Sequence, residues 1–267
     1  MPDFSYFSCA LVTGASAGLG EEFALQIAPR VGKLVLVARR ADRLKELASR
    51  IREEHPNVAV AVYPADLSDH RERLILVEAL VLSGFIPDLL VNNAGLGDYG
   101  EFATSPWEKT EAMLRINVEA LTHLTHALLP HMIHRREGAI LNISSLASLL
   151  PIPDFAVYAA TKAYVTSFSE ALRIELRDYS ISVLAVCPGP VKTEFGTVAR
   201  REEATGDSLR QWFYVPKEQV VAEALHALDR DKARVYPGLK TAVAAAVIAA
   251  LPLVALRLIL GTRPRRE

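Results

Sequence analysis

From Cys9 onward, short runs rich in Val, Leu and Ile alternate with longer segments whose apolar residues recur at helical spacing. Short apolar runs suit strands buried on both faces, and their alternation with helices is the pattern of βαβ units around a parallel sheet. The pattern predicts strands at Cys9–Thr13, Leu34–Ala38, Ala59–Pro64, Leu89–Asn92, Ala139–Ser144, Ser182–Cys187 and Ala233–Tyr236. It predicts helices near Gly20–Ala28, Ala41–Glu54, Asp69–Ser83, Trp107–His134, Tyr158–Asp178 and Lys217–Asp229. The expected fold is therefore α/β: one doubly wound, seven-stranded parallel sheet with helices on both faces. Two stretches break the rhythm. Lys192–Val215 is polar and mixed, and it follows the carboxyl end of a strand, where open α/β sheets bind ligands; a substrate lid is expected there. After Pro237 the chain turns apolar, so one domain over residues 1–237 and a tail over 238–267 are expected.

At 267 residues, half of them apolar, the chain is long enough for one large core. Its net charge of −1 provides no field for nucleic acid, and no basic stripe interleaved with aromatics is present. Cys9 and Cys187 sit among apolar residues, outside any metal-ligand spacing, and read as buried thiols in a reducing compartment. Residues 1–7 show no basic segment followed by an apolar run, so a cytoplasmic location is expected. The tail adds a second reading. Thr241–Leu256 carries no charge, is interrupted by Pro252 and is followed by Arg257, Arg263, Arg265 and Arg266. A helix apolar all round must be buried or meet lipid, and a basic end favours anionic headgroups, so peripheral membrane contact and packing on protein both fit.

Candidate chemistry begins at the first strand-to-helix junction. Thr13-Gly14-Ala15-Ser16-Ala17-Gly18-Leu19-Gly20 offers glycines for a tight turn and a helix amino end whose N–H groups favour a pyrophosphate. At the end of the second strand, where an acidic side chain would accept from the ribose of NAD, Arg39 and Arg40 stand instead. Their guanidinium groups suit a 2′-phosphate, so NADP(H) is preferred over NAD(H). Tyr158 and Lys162 lie four apart, on one face of a helix. An ammonium close to a phenol is expected to lower the tyrosine's pKa and let it exchange a proton. Ser145 ends the fifth strand, thirteen residues earlier, where its hydroxyl can bond the same substrate oxygen.

Together these residues resemble the classical short-chain dehydrogenase/reductase family. The glycine turn matches its Thr-Gly-x-x-x-Gly-x-Gly, Asn92-Asn93-Ala94-Gly95 its fourth-strand signature, and Tyr158-Ala159-Ala160-Thr161-Lys162 its Tyr-x-x-x-Lys. Asn117 and Ser145 occupy the places of its catalytic asparagine and serine. Pro188-Gly189-Pro190-Val191-Lys192-Thr193 matches its nicotinamide-binding segment. The resemblance implies a Rossmann-type catalytic domain. It also implies that Asp66 and Leu67 meet the adenine, that Asn93, Ala94 and Gly95 line the cofactor, and that Lys162 holds the nicotinamide ribose. Asn117 would hold a water leading to Lys162, and Val191 and Thr193 would fix the carboxamide. Ala17 departs from the basic residue that many NADP-preferring members carry, which leaves Arg39, Arg40 and Ser16 to read the phosphate.

The expected activity is hydride transfer between NADP(H) and an apolar or lipid-like carbonyl or secondary alcohol, by a homodimer or homotetramer acting on a small-molecule substrate. A 3-oxoacyl-thioester reductase and a non-catalytic NADP-binding regulatory module are the alternatives. No metal is expected: His123, His126, His131 and His134 lack partners that complete a tetrahedral set. Glu21-Glu22 sits in the first turn of a helix, where acidic side chains complement the dipole.

Overall fold

The computed structural model describes residues 4–199 and 214–261. Strands β1 (Phe7–Thr13), β2 (Val31–Ala38), β3 (Ala59–Pro64), β4 (Leu89–Asn92), β5 (Gly138–Ile143), β6 (Ile181–Val186) and β7 (Arg234–Val235) form one parallel sheet, in the order β3-β2-β1-β4-β5-β6-β7. The helices are α1 (Gly18–Ile27), α2 (Ala41–Glu54), α3 (His70–Ser83), α4 (Trp107–Leu114), α5 (Leu121–Arg135), α6 (Ala156–Leu176), α7 (Glu194–Val198), α8 (Lys217–Asp229), α9 (Leu239–Ala250) and α10 (Leu253–Gly261).

Successive strand residues point to opposite faces, and here both faces are covered, which is why the strands read as continuous apolar runs. Ala10, Val12, Leu34 and Leu36 pack under Phe23 of α1, Leu44 and Ile51 of α2 and Val221 of α8. Cys9, Leu11, Val35 and Ile140 pack under Leu80 of α3, Leu124 and Leu128 of α5 and Leu172 of α6. Each buried Val, Leu, Ile or Phe among them contributes about 1.5–3 kcal/mol of transfer free energy. β1 pairs with both β2 and β4, so the strand order reverses between β1 and β4. The crevice outside their carboxyl ends is where an open α/β sheet receives ligands.

Three elements differ from the sequence expectations. The stretch expected as one helix from Trp107 to His134 is interrupted by a π-helical turn at Arg115–Ala120, whose extra residue turns Asn117 into the interior. The apolar tail, for which no helix bounds were expected, forms two helices divided at Pro252, which has no N–H to give to the ladder and whose ring crowds the preceding turn. One side of α9 is buried through Thr241 and Ala245 while the other exposes Leu239, Val243 and Val247, so this helix is apolar towards protein on one side and towards solvent on the other. Among the described residues, no helix is long and apolar enough to cross a membrane. The expected lid at Lys192–Val215 is described only at its ends: α7 follows β6, and Val191 bridges to Val215, while residues 200–213 lie outside the described residues.

Candidate active site

The turn between β1 and α1 holds Gly14 at φ +65° and Gly18 at φ +61°, left-handed backbone that side chains resist. A Cβ on Gly20 would stand 2.2 Å from the Gly14 carbonyl oxygen, so the turn folds back on the helix with no room for a methyl group. Thr13 and Asn93 brace this turn from behind. Asn93 Nδ2 donates to the Thr13 carbonyl at 2.9 Å, and Thr13 Oγ1 accepts from the backbone N–H groups of Asn93 at 2.9 Å and Ala94 at 3.0 Å. Ala17 begins α1 with extended backbone and no side chain able to cap it, leaving first-turn N–H groups beside the cleft. A cradle of Gly14, Ser16, Gly18 and Leu19 at a helix amino end fits the pyrophosphate of a dinucleotide.

The rim at the end of β2 is cationic. Arg40 NH1 pairs with Glu194 Oε2 at 2.8 Å, and Arg40 Nε donates to Ser16 Oγ at 3.2 Å. Arg39 remains largely exposed, 3.9 Å from Asp66 Oδ2. Burial opposes ionisation of Asp66, but hydrogen bonds from the Ser68 hydroxyl and N–H, with Arg39 beside it, outweigh that effect and hold its carboxyl below the ordinary value.

On the other side of the crevice, the chemistry is set by β5 and α6. Ser145 leaves β5 as the cap of a short 3₁₀ turn, accepting from the Ala147 N–H at 3.1 Å, and its hydroxyl is hydrogen-bonded to Tyr158. One turn further along α6, Lys162 Nζ donates to the Ile143 carbonyl at 2.8 Å and lies 5.7 Å from the centre of the Tyr158 ring. Polar bonds fix the face of α6 that carries them. Ser144 Oγ donates to the Lys162 carbonyl at 2.8 Å, and Asn142 Nδ2 donates to Ser169 Oγ at 3.0 Å. Asn117 Nδ2 reaches the Leu96 carbonyl at 2.9 Å and Thr161 Oγ1 at 3.0 Å, and its Oδ1 accepts from the Leu96 N–H at 2.8 Å. Phe155 stacks on Tyr158 with centroids 4.2 Å apart, Phe195 of α7 approaches it to 5.5 Å, and Tyr99 packs edge-on to Phe155.

These surroundings overturn the expectation that Lys162 lowers the phenol. Burial pushes Tyr158 up to about 12, with the Ser145 hydrogen bond offsetting only part of the effect. Burial also pushes Lys162 down, to about 8. The reason is that both groups are out of water, where neither charged form is favoured. Tyr158 is thereby kept as a protonated phenol through the neutral range.

A cleft of ≈ 620 Å³ runs between the two halves. Ser16, Gly18, Leu19, Arg39, Arg40, Asp66, Leu67, Asn93, Ala94, Gly95, Ser145, Tyr158, Lys162, Pro188, Gly189, Val191 and Thr193 line it together, as does Gly14. Thr13, Gly20 and Asn117 stand behind its wall as braces. Sequence reading missed the aromatic wall of Tyr99, Phe155 and Phe195, the Glu194 partner of Arg40, and Thr161 as the partner of Asn117. Glu194 and Phe195, directly after Thr193, and Thr161, inside the Tyr158–Lys162 motif, carried a positional hint; Tyr99 and Phe155 carried none. Cys9 and Cys187 are free and buried, and burial raises both thiols.

A family model described as short chain dehydrogenase matches residues 8–204. The chain is similar to a very-long-chain 3-oxoacyl-CoA reductase-like protein of Arabidopsis thaliana, 34% identical over 82% of this chain and 69% of that protein. It is also similar to a short-chain dehydrogenase from Sphingobium yanoikuyae solved in complex with NADPH. That structure is 31% identical, with a TM-score of 0.80, over 97% of this chain and 98% of that one. A bulky-bulky ketone specific alcohol dehydrogenase from Comamonas testosteroni is 30% identical, with a TM-score of 0.75, over 97% of this chain and 95% of that one.

The depressed lysine has a thermodynamic consequence. Between pH 8 and 10.5 the unfolded chain carries Lys162 charged while the native state holds it neutral, so native stability rises with pH there, by up to about 1.4 kcal/mol per unit. Methionine at this position removes the effect. Denaturant unfolding of the wild type and of Lys162→Met across this window should show the wild type gaining relative to the variant as pH rises; a constant difference would contradict the buried, neutral lysine.

Proposed function

Because this chain belongs to the short chain dehydrogenase family and is an oxidoreductase of carbonyl or CH–OH groups, we propose that it reduces a bulky, apolar ketone with NADPH, Tyr158 giving up the proton. The observation that carries this reading is the buried phenol beside Ser145, kept protonated at neutral pH and walled by aromatic rings. A carbonyl oxygen placed between Ser145 Oγ and the Tyr158 hydroxyl receives two hydrogen bonds, which polarise it and fix its carbon relative to the nicotinamide side of the cleft. The bound dinucleotide supplies the hydride. As charge develops on the oxygen, Tyr158 transfers its proton to it, and a phenol that holds its proton in the resting protein suits the reductive direction. Lys162, pushed down to about 8 by burial, is still an ammonium at neutral pH but gives up its proton more readily than an exposed lysine, and takes part in returning the proton that Tyr158 loses. A Cβ on Gly95 would stand 3.4 Å from Asn117 Oδ1 and 3.5 Å from Lys162 Nζ, so the missing side chain leaves these two polar atoms facing the same spot, where a water would connect Lys162 to the Asn117 brace.

Gly14, Ser16, Gly18 and Leu19 would cradle the pyrophosphate, Leu67 and Asp66 the adenine, and Ala94, Gly95, Pro188, Gly189, Val191 and Thr193 the nicotinamide half. Arg39, with Arg40 and Ser16, supports preference for the 2′-phosphate. Leu96, Tyr99, Ile152, Phe155 and Phe195 support an apolar substrate, since they offer the reacting carbonyl no competing charge. A second reading, a 3-oxoacyl thioester, is favoured by the Arabidopsis relative's name and uses the same carbonyl chemistry. Exposed Trp107 and Leu114 of α4 and Tyr164 and Ile174 of α6 support homodimer or homotetramer pairing through these helices. Light scattering that found only monomer at micromolar concentration would exclude that pairing.

Two substitutions test the assignments. Tyr158→Phe removes the exchangeable proton and leaves the ring stacked, so NADPH affinity should persist while ketone reduction, followed at the nicotinamide absorbance band, falls about 10²–10⁴-fold. Full activity in that variant would refute the role. Arg39→Asp places a carboxylate where the phosphate lies, so NADPH should bind far more weakly while NADH is nearly unaffected. Equal losses for the two cofactors would show that Arg39 does not read the phosphate.

A further inference from the structure

Leu239, Val243 and Val247 recur every four residues along α9 and are 81%, 55% and 56% exposed, while Thr241 and Ala245, on the opposite side, are buried. Past Pro252 the same division continues in α10, where Leu256 is buried and Val254 and Leu258 are 64% and 70% exposed. Each of the two short helices thus holds on to the body by one side and exposes apolar side chains on the other. Their position is fixed close to the catalytic cleft. A Cβ on Gly189, which lines the cleft, would stand 2.8 Å from Thr241 Oγ1, and α9 packs against the 3₁₀ turn that Ser145 caps.

The sequence that carries this face is predominantly basic. From Lys232 to Glu267 it contains seven basic residues, Lys232, Arg234, Lys240, Arg257, Arg263, Arg265 and Arg266, and one acidic residue, Glu267, while Glu223 is engaged by the Gly238 N–H at the foot of α9. Arg234 is taken up by Glu170, and Arg257 is exposed beside Leu258. An apolar face flanked by cations matches the boundary between headgroups and acyl chains of an anionic bilayer, where buried apolar area and Coulomb attraction act together. A second copy of this chain would bring equally basic segments, seven cationic side chains against one carboxylate in each, against one another in a two-fold interface, which the charges oppose. Helix length decides the mode. At 1.5 Å per residue, α9 and α10 extend about 18 and 14 Å, well short of a hydrocarbon core of about 30 Å, so they lie along the surface rather than through it.

We propose that the α9–α10 face is a docking surface for an anionic phospholipid bilayer, which sets the cleft of this enzyme beside the membrane. If the substrate is lipid-like, as proposed above, it enters from the bilayer; the docking itself does not depend on that reading.

Flotation of the full chain with phosphatidylcholine vesicles, with and without phosphatidylglycerol, tests the surface. Binding is expected to the phosphatidylglycerol vesicles and to weaken with added salt. Val243→Glu, Val247→Glu and Leu258→Glu together alter only exposed positions, so the variant should fold, with unchanged thermal unfolding and unchanged NADPH oxidation on a water-soluble ketone, while vesicle affinity drops about a hundredfold or more. Absence of binding by the wild type overturns the proposal, and so does equal flotation of wild type and variant. A wild-type oligomer that the three substitutions dissociate, with no vesicle binding, would assign the face to a second copy and also overturn it. Loss of ketone turnover in the wild type would instead count against the proposed function, because flotation is read without turnover.

Discussion

The removal of Tyr158 and Lys162 from water is the constraint around which the site is built. A buried phenol and a buried amine both favour their neutral forms, and neither keeps a useful geometry unless its helix is fixed from several sides. That is what the polar residues at the carboxyl ends of β4 and β5 do. Asn92 Nδ2 donates to Asn142 Oδ1 at 2.9 Å and to Thr125 Oγ1 at 3.0 Å, and Asn142 passes the connection to Ser169 on α6. Ser144 and Asn117 seize the same helix at the Lys162 carbonyl and at Thr161. Buried polar networks stiffen what they connect, and although Asn92 Oδ1 is left without a hydrogen-bond partner, the remaining bonds between the sheet and α6 tie the position of the phenol to the core of the fold.

The cofactor half meets this chemistry through shared braces. Asn93 holds the glycine turn by its side chain, while two residues later Gly95 leaves space between Asn117 and Lys162. Gly18 lies with Thr193 3.3 Å from where its Cβ would be, so the segment after β6 closes over the same turn. Arg40 then links the rim to α7 through Glu194, and α7 carries Phe195 back to the Tyr158 ring. A disturbance at the glycine turn therefore reaches the aromatic wall through direct contacts, without help from the sheet.

Much of this was legible in sequence because it rests on spacing. Continuous apolar runs located the strands, with β3 and β4 matched residue for residue, and the four-residue step from Tyr158 to Lys162 put both side chains into one cleft. What spacing does not carry is environment. The phenol's rise follows from burial, and Lys162 is held by the Ile143 carbonyl, a backbone partner with no sequence signature. The π turn around Asn117 looks like ordinary helix in the apolar pattern because its apolar spacing is not broken there; only the bonds to Leu96 and Thr161 reveal the extra residue's purpose. The two-sided character of the tail was hidden for a related reason: a run of Ala, Val, Leu and Ile has no polar residues to mark which side meets the body.

The central claim is that the protein itself keeps Tyr158 protonated by burial. ¹³Cζ-tyrosine NMR across an alkaline titration reads it directly, with Tyr158 assigned by the signal that Phe replacement removes. The account predicts a Tyr158 resonance that still reports the phenol at pH values where exposed tyrosines have ionised, titrating towards about 12. A Tyr158 signal that titrates at or below the ordinary value of about 10 would contradict it.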